Sequence, residues 1–306
     1  MVKRILDLDT SDMYKLSKSE IIKSIKLAEG RTIVSEVLGI YPPLYGDVSN
    51  VELVCAFGAD IILLNYYDVN NPHVFGLPID RGEKVISEIK RLTGRLVAIN
   101  LEPVDLNIEL IEKREKLASG RLATLENVKK AIKHGVDIIV LTGNPKTGVT
   151  NREIVKAVAE IKKAVGNEIV ITAGKMHGAG SENESGGGII NEEIIEDFIK
   201  AGSDIILLPA PGTVPGLTVE RARELIDAIH KFGVLAMTAI GTSQEGSDEN
   251  TIRTIALNSK MAGADMHHIG DAGVTGVAVP ENIMIYSIAI RGKRHTYRRM
   301  ARSVNR

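Results

Sequence analysis

The sequence predicts an α/β protein: a single (β/α)8 barrel over residues 1–306, with one extra helix ahead of it. Three observations carry that reading. Four segments read almost alike: AFGADIILLN from Ala56, KHGVDIIVLT from Lys133, KAGSDIILLP from Lys200 and MAGADMHHIG from Met261. Four looser relatives lie between them: EGRTIVSEVLG, TGRLVAINLEP, VGNEIVITAGK and FGVLAMTAIGT. The eight glycines that punctuate these segments are Gly30, Gly58, Gly94, Gly135, Gly166, Gly202, Gly233 and Gly263. Their spacing of roughly 30 to 40 residues is the size of one strand–helix unit.

Taken in order, residues 1–30 stand outside the repeat. A helical stretch from Leu16 to Glu29 is expected to close the bottom of the barrel or to meet a partner subunit. Each unit then opens on its glycine. Helices often end on a left-handed residue, which glycine adopts without a Cβ clash. The continuous apolar run that follows suits a parallel strand buried on both faces. The stretches NREIVKAVAEIKKAVG and NEEIIEDFIKAG place apolar residues at three- and four-residue steps, with charges between, and so predict covering helices. Asn151 and Asn191 are the expected N-caps. Asp60, Asp137, Asp204 and Asp265 all stand at strand starts, where barrel residues serve stability. An open doubly wound sheet is the alternative arrangement of the same units. The basic tail over 291–306, RGKRHTYRRMARSVNR, is expected to be a solvated last helix, or else to contact phosphates or a partner.

Composition excludes several functions. A net charge of −1 supplies no field to recruit nucleic acid or a membrane. Tryptophan is absent and aromatics make up 4%, which disfavours binding by base stacking. Cys55 is the only cysteine, so no internal disulfide forms, and a reducing cytoplasm is the expected setting. No apolar run approaches the ~18 residues of a membrane span. No signal peptide is expected, since no long apolar run follows the first basic residues.

Barrel enzymes build their sites at the C-terminal ends of the strands. Six residues past the glycine in the odd strands stand Glu36, Asn100, Thr172 and Ala239; two further on stand Leu38, Glu102, Gly174 and Gly241. Strand side chains alternate, so both sets share one face, inferred to be the barrel interior near its top. A buried carboxylate needs a partner, a metal or a proton. Glu36 and Glu102, with Asn100 beside them, are therefore candidates for acid/base chemistry or for holding a divalent cation such as Mg²⁺. The structural alternative pairs Glu36 with a basic residue. Lys146 in TGNPKTG and Lys175 in AGKMHGAG follow strand ends and suit imine formation or charge stabilisation. His177 is placed to shuttle protons. His267 and His268 are adjacent in a strand, so at most one points inward, and the other belongs under a helix as a hydrogen-bonded core histidine. None of these histidines has zinc spacing.

The loops favour an anion. Gly241, Thr242 and Ser243 follow strand seven, and Gly270, Asp271, Ala272 and Gly273 follow strand eight. Small residues there let backbone N–H groups approach a phosphate. The glycine-rich MHGAGSENESGGGIINEE is expected to act as a lid. Asn65, ahead of the long connection YYDVNNPHVFGLPID, is expected to line the mouth.

The stretch DIIVLTGNPKTGVTNREIVKAVAEIKKAVGNEIVITAGK resembles the BtpA-type proteins, relatives of the ribulose-phosphate-binding barrels, over about 40 residues. That resemblance implies that Thr142, Gly143, Thr147 and Gly148 line the site. It also implies a phosphate-bearing ligand and a cytoplasmic setting. It implies no particular reaction. The opening MVKRILDLDTSDMYKLS resembles the first motif of the haloacid dehalogenase superfamily, with Asp7 as nucleophile and Asp9 handling protons. Thr10-Ser11 replaces the usual Gly-Thr, and GDAGVTG offers no second acid, so the two aspartates read as a polar turn into the first helix.

The expectation is thus an enzyme acting on a small phosphorylated, sugar-like substrate at the barrel mouth, of isomerase or lyase type, and homo-oligomeric. Its alternatives are a dehalogenase-like phosphohydrolase using Asp7 and Asp9, and a barrel that binds a phosphate ligand or serves assembly without turnover.

Overall fold

Every predicted unit folds as a strand followed by a helix in the computed structural model, which describes residues 1–108, 110, 113–178, 188–271 and 275–306. Two short helices come first, α1 (Thr10–Met13) and α2 (Lys18–Lys26). The repeat then runs β1 (Thr32–Leu38), α3 (Asn50–Ala56), β2 (Ile61–Asn65), α4 (Val85–Thr93), β3 (Leu96–Leu101), α5 (Leu125–His134), β4 (Ile138–Leu141) and α6 (Asn151–Val165). It continues through β5 (Val170–Gly174), α7 (Glu192–Ala201), β6 (Ile205–Pro209), α8 (Val219–Lys231), β7 (Leu235–Ile240), α9 (Glu249–Ala262), β8 (Met266–Ile269) and α10 (Pro280–Met300). The strands form a closed barrel in sequence order, and all eight pairings are parallel. Closure is made by β8 against β1, with Val34 opposite His268. The open-sheet alternative is ruled out.

Local chemistry explains the joints. Gly135 and Gly263 cap α5 and α9 in the left-handed region, at φ 90° and 101°. Asn191 caps α7 as expected, its side chain accepting from the Ile194 N–H. The cap of α6 is one residue earlier than predicted. Thr150 Oγ1 accepts from the Glu153 N–H, while the Asn151 amide donates to the Ile189 carbonyl at 3.1 Å. Both residues are good caps, and the hydroxyl took the position.

The recurring Gly-x-Asp has a physical reason. Each strand-start aspartate accepts a backbone N–H from the strand before it. Asp60 takes Ile33 N, Asp137 takes Val97 N and Asp204 takes Ile171 N, each at 2.8 Å, and Asp265 takes Ala236 N at 2.9 Å. The even strands thus staple the odd ones at the base of the barrel.

Alternation sorts the apolar side chains. Ile33, Ile62, Ile99 and Ile139 face outward into the layer shared with the helices. Val34, Leu63, Ala98, Val140, Leu207 and Met237 face inward, in one cluster with Ile5, Leu6, Leu8, Ile21 and Ile25. The segment before β1 therefore plugs the bottom of the barrel, which is the first of the two placements expected for it.

Two expectations about the termini are corrected there. Asp7 pairs with Arg4 at 2.7 Å, and Asp9 pairs with Arg302 at 2.8 Å. Both aspartates belong to a clasp between the chain ends, opposite the mouth, so the dehalogenase reading fails on geometry. The basic tail is a helix solvated on one face only, with Lys293, Arg294 and Arg298 exposed. α10 breaks at Gly292, and Arg291 and Arg299 are buried, reaching Asp60 at 2.6 and 2.8 Å. Among the described residues, no helix is long and apolar enough to cross a membrane.

Candidate active site

The inward rung above the apolar layer is polar. It carries Glu36 of β1, Asn100 of β3, Thr172 of β5 and His268 of β8, all buried. Above it opens a cleft of about 360 Å³ at the C-terminal ends of the strands. Glu36, Asn65, Asn100, Thr142, Gly143 and His177 line it, as do Gly241, Ser243, Gly270 and Asp271. The face inferred from the six-residue count is therefore the right one.

Glu36 is 3% exposed. Its Oε2 lies 3.1 Å from His268 Nε2, and the Asn100 amide donates to its Oε1 at 3.5 Å. The imidazole sits off the hydrogen-bond direction, leaving both of its nitrogens unbonded. Asn100 Oδ1, Thr142 Oγ1 and Thr172 Oγ1 are likewise buried without a protein partner. Buried polar atoms are normally bonded, so a group of them at one rung is a place prepared for a polar ligand. The adjacent histidines divide as predicted. His267 faces outward, with Nε2 3.0 Å from the Gly30 carbonyl and Nδ1 3.4 Å from the Tyr286 hydroxyl. Burial pushes it down to about 4.

One acid in the cleft was not foreseen. Glu245 lies on the 3-10 turn Gln244–Gly246 after β7, 6% exposed, with Oε2 unbonded. Burial raises its pKa and the Glu36 charge adds to that, while its own N–H, His268 and the Ser243 N–H oppose it. The turn expected to hold a phosphate thus presents N–H groups to a carboxyl of its own chain. A count along strands misses a residue on a turn; the available signal was an acid among the small residues of GTSQEGS.

Glu102 serves a different purpose from Glu36. It is 1% exposed, 2.5 Å from Arg121 Nη2, and accepts from Asn144 N and Nδ2 at 3.1 Å each. Asn144 in turn exchanges amide hydrogen bonds with Asn65 at 2.7 and 3.0 Å. The Arg121 guanidinium stacks 3.9 Å over the Tyr66 ring. Asn65, Tyr66 and Asn144 all line the cleft, so Glu102 and Arg121 support its wall from behind. Glu36 and Glu102 do not form the expected metal pair, because Glu102 is committed to Arg121 and Asn144. Among the described residues, no three His, Cys, Asp or Glu side chains converge as a metal site.

The lysines lie outside the lining. Lys175 is 1% exposed and donates to the Val149 and Gly178 carbonyls at 3.1 and 3.4 Å, behind Met176 and His177. That geometry corrects the imine role expected of it. Lys146 is exposed at the rim, at φ 65°, next to the lining residue Pro145. Among the described residues the lining contains no Lys or Arg. His177 does line the cleft, and burial, followed by the Lys175 charge, pushes it down to about 4. Thr147 and Gly148 shape the loop beneath. Thr147 Oγ1 bonds the Asn144 carbonyl, and a Cβ on Gly148 would meet the Arg114 guanidinium. The Thr242 hydroxyl lies 2.7 Å from the Thr213 carbonyl, turned away from the cleft. Ala272 and Gly273, and residues 179–187 of the expected lid over 176–193, lie outside the described residues.

A family described as a domain of unknown function, DUF7916, has a sequence model that matches residues 6–306. The chain belongs to this family. No curated protein matches the DUF7916 chain. One solved structure similar to it is a thiamine phosphate pyrophosphorylase from Pyrococcus furiosus, at 12% identity and TM-score 0.49, covering 86% of this chain and 97% of that one. Another is 2,3-dimethylmalate lyase, a PEP mutase/isocitrate lyase superfamily member, at 12% identity and TM-score 0.50, covering 85% and 82%. The likeness to the lyase is one of barrel fold.

Proposed function

We propose that this DUF7916 chain is an enzyme of the isomerase or lyase type, acting on a small phosphorylated, sugar-like carbonyl compound at the C-terminal mouth of the barrel. The observation that carries this reading is Glu36, buried on the floor of an open polar cleft with His268 Nε2 3.1 Å from its carboxylate. A carboxylate at that position can remove a proton from carbon beside a carbonyl and return it elsewhere, and the adjacent imidazole steadies its charge. Asn100 and Thr142, which line the cleft, supply unbonded polar atoms to orient substrate hydroxyls. Low-dielectric walls strengthen every charge interaction on the floor.

The phosphate is assigned to the rim, where Lys146 stands beside Pro145 and Gly143. The BtpA-type resemblance supports that assignment, since Thr142 and Gly143, two of the residues it marks, line the cleft. Lyase chemistry on a similar barrel supports the reaction class by analogy of fold alone.

The test is a panel of sugar phosphates and phosphorylated keto acids, followed by ³¹P and ¹H NMR. Wild type is expected to convert at least one member. Glu36→Gln is expected to convert it at least about 100-fold more slowly, with unchanged circular dichroism. Undiminished turnover by Glu36→Gln would remove Glu36 from the chemistry. Binding of a panel member without conversion would establish the non-catalytic barrel instead.

A further inference from the structure

We infer that Glu245, which lines the cleft with Glu36, is a catalytic proton donor. This deepens the proton-transfer reading above and rests on it. The main chain of Glu245 is fixed from α10, where the Asn282 amide donates to the Glu245 and Ser247 carbonyls at 2.9 Å each. Its carboxyl carbon lies 3.5 Å from where a Cβ of Gly270 would stand, so the β8 loop backs it closely. It lines the cleft, it is 6% exposed, and its Oε2 has no partner among the described residues.

The groups facing it are Glu36 from β1, His268 and Asp271 from the β8 side, and the N–H groups of its own turn. No lysine or arginine among the described residues lines the cleft to hold it ionised. Burial and the Glu36 charge favour its protonated form, against its own N–H, His268 and the Ser243 N–H, and the balance raises its pKa. Two carboxyls in one cleft are the arrangement that can divide acid from base roles.

The step balances without an oxidant. Glu36 takes the proton from carbon next to the carbonyl. The electron pair of that C–H bond becomes the C=C bond of an enediol. The Glu245 O–H gives its proton to the carbonyl oxygen as the C=O π pair moves onto that oxygen. In the second half Glu36 gives its proton to the former carbonyl carbon, while the Glu245 carboxylate recovers a proton from the other enediol hydroxyl, whose oxygen becomes the new carbonyl.

The first measurement needs no substrate. The infrared difference spectrum of wild type minus Glu245→Gln, at pH 7, is expected to show the C=O stretch of a neutral carboxylic acid, shifted in D₂O and absent from the variant. Glu36→Gln is expected to move the titration of that band to lower pH. Should Glu245→Gln not fold, wild-type protein labelled with ¹³C-glutamate gives the same reading through the isotope shift. A spectrum with no neutral glutamic acid at pH 7 overturns the inference and leaves the Glu36–His268 reading untouched. Once a substrate is in hand, Glu245→Gln is expected to lose about 100-fold in kcat with KM little changed, and Glu245→Asp to recover part of it. A band present with kcat unchanged would also overturn it, making Glu245 a structural acid.

Discussion

Glu36 and Glu102 are both buried carboxylates on the inward face, and their partners give them opposite work. Glu102 neutralises Arg121 and holds Asn144, so Glu102→Ala leaves a buried guanidinium with only the partly exposed Glu115 at 3.5 Å. It is expected to cost about 3–5 kcal/mol in urea unfolding. Glu36→Gln keeps volume and polarity and is expected to change stability by less than about 1 kcal/mol. The face both residues occupy was legible in their spacing from the glycines, because strand alternation is strict. Their partners were not legible. Arg121 comes from the long loop after β3, and His268 meets Glu36 only because β8 closes on β1. The adjacent histidines show the same division. Alternation required one to turn outward, and only the fold shows that it is His267. Its pKa of about 4 in the folded state lies below the ordinary 6.5, so the folded chain holds it neutral. The unfolded chain binds that proton first as pH falls. Stability is therefore present above about pH 6.5 and is lost towards pH 4, by about 3 kcal/mol. His267→Gln is expected to flatten that acid limb in unfolding curves taken from pH 7 to 4; an unchanged slope would place the loss on other groups.

At the scale of elements, the repeat that revealed the fold is also a set of hydrogen bonds. Each Gly-x-Asp ends a helix and staples the strand before it, so one short motif serves two joints. Asp60 carries the largest share, because it also receives Arg291 and Arg299 from α10. Asp60→Ala is expected to destabilise by about 3–5 kcal/mol. Deletion of residues 291–306 should likewise prevent folding rather than alter a partner interaction. Asp7→Asn, by contrast, touches a half-exposed clasp and is expected to cost no more than about 1 kcal/mol. The charge of the tail was plain in the sequence. Its burial was not, because pairing with Asp60 joins residues more than half the barrel apart in the chain. The turn after β7 misled in a related way: its small residues suggested a phosphate, while the fold brings Glu245 to those N–H groups.

For the whole molecule, closing the ring gathers at one rim polar groups that lie far apart along the chain. β1, β3 and the turn after β7 supply Glu36, Asn100 and Glu245 to a single cleft, with His268 of β8 against Glu36, while the plug before β1 seals the other end with apolar side chains. The central claim is that this rim moves protons at carbon. It is tested most directly by incubating the protein with phosphorylated carbonyl compounds in D₂O and reading deuterium at the carbon beside the carbonyl by NMR. The account predicts incorporation by wild type and none above background by Glu36→Gln. Wild type that binds these compounds and leaves every such carbon unlabelled would contradict it.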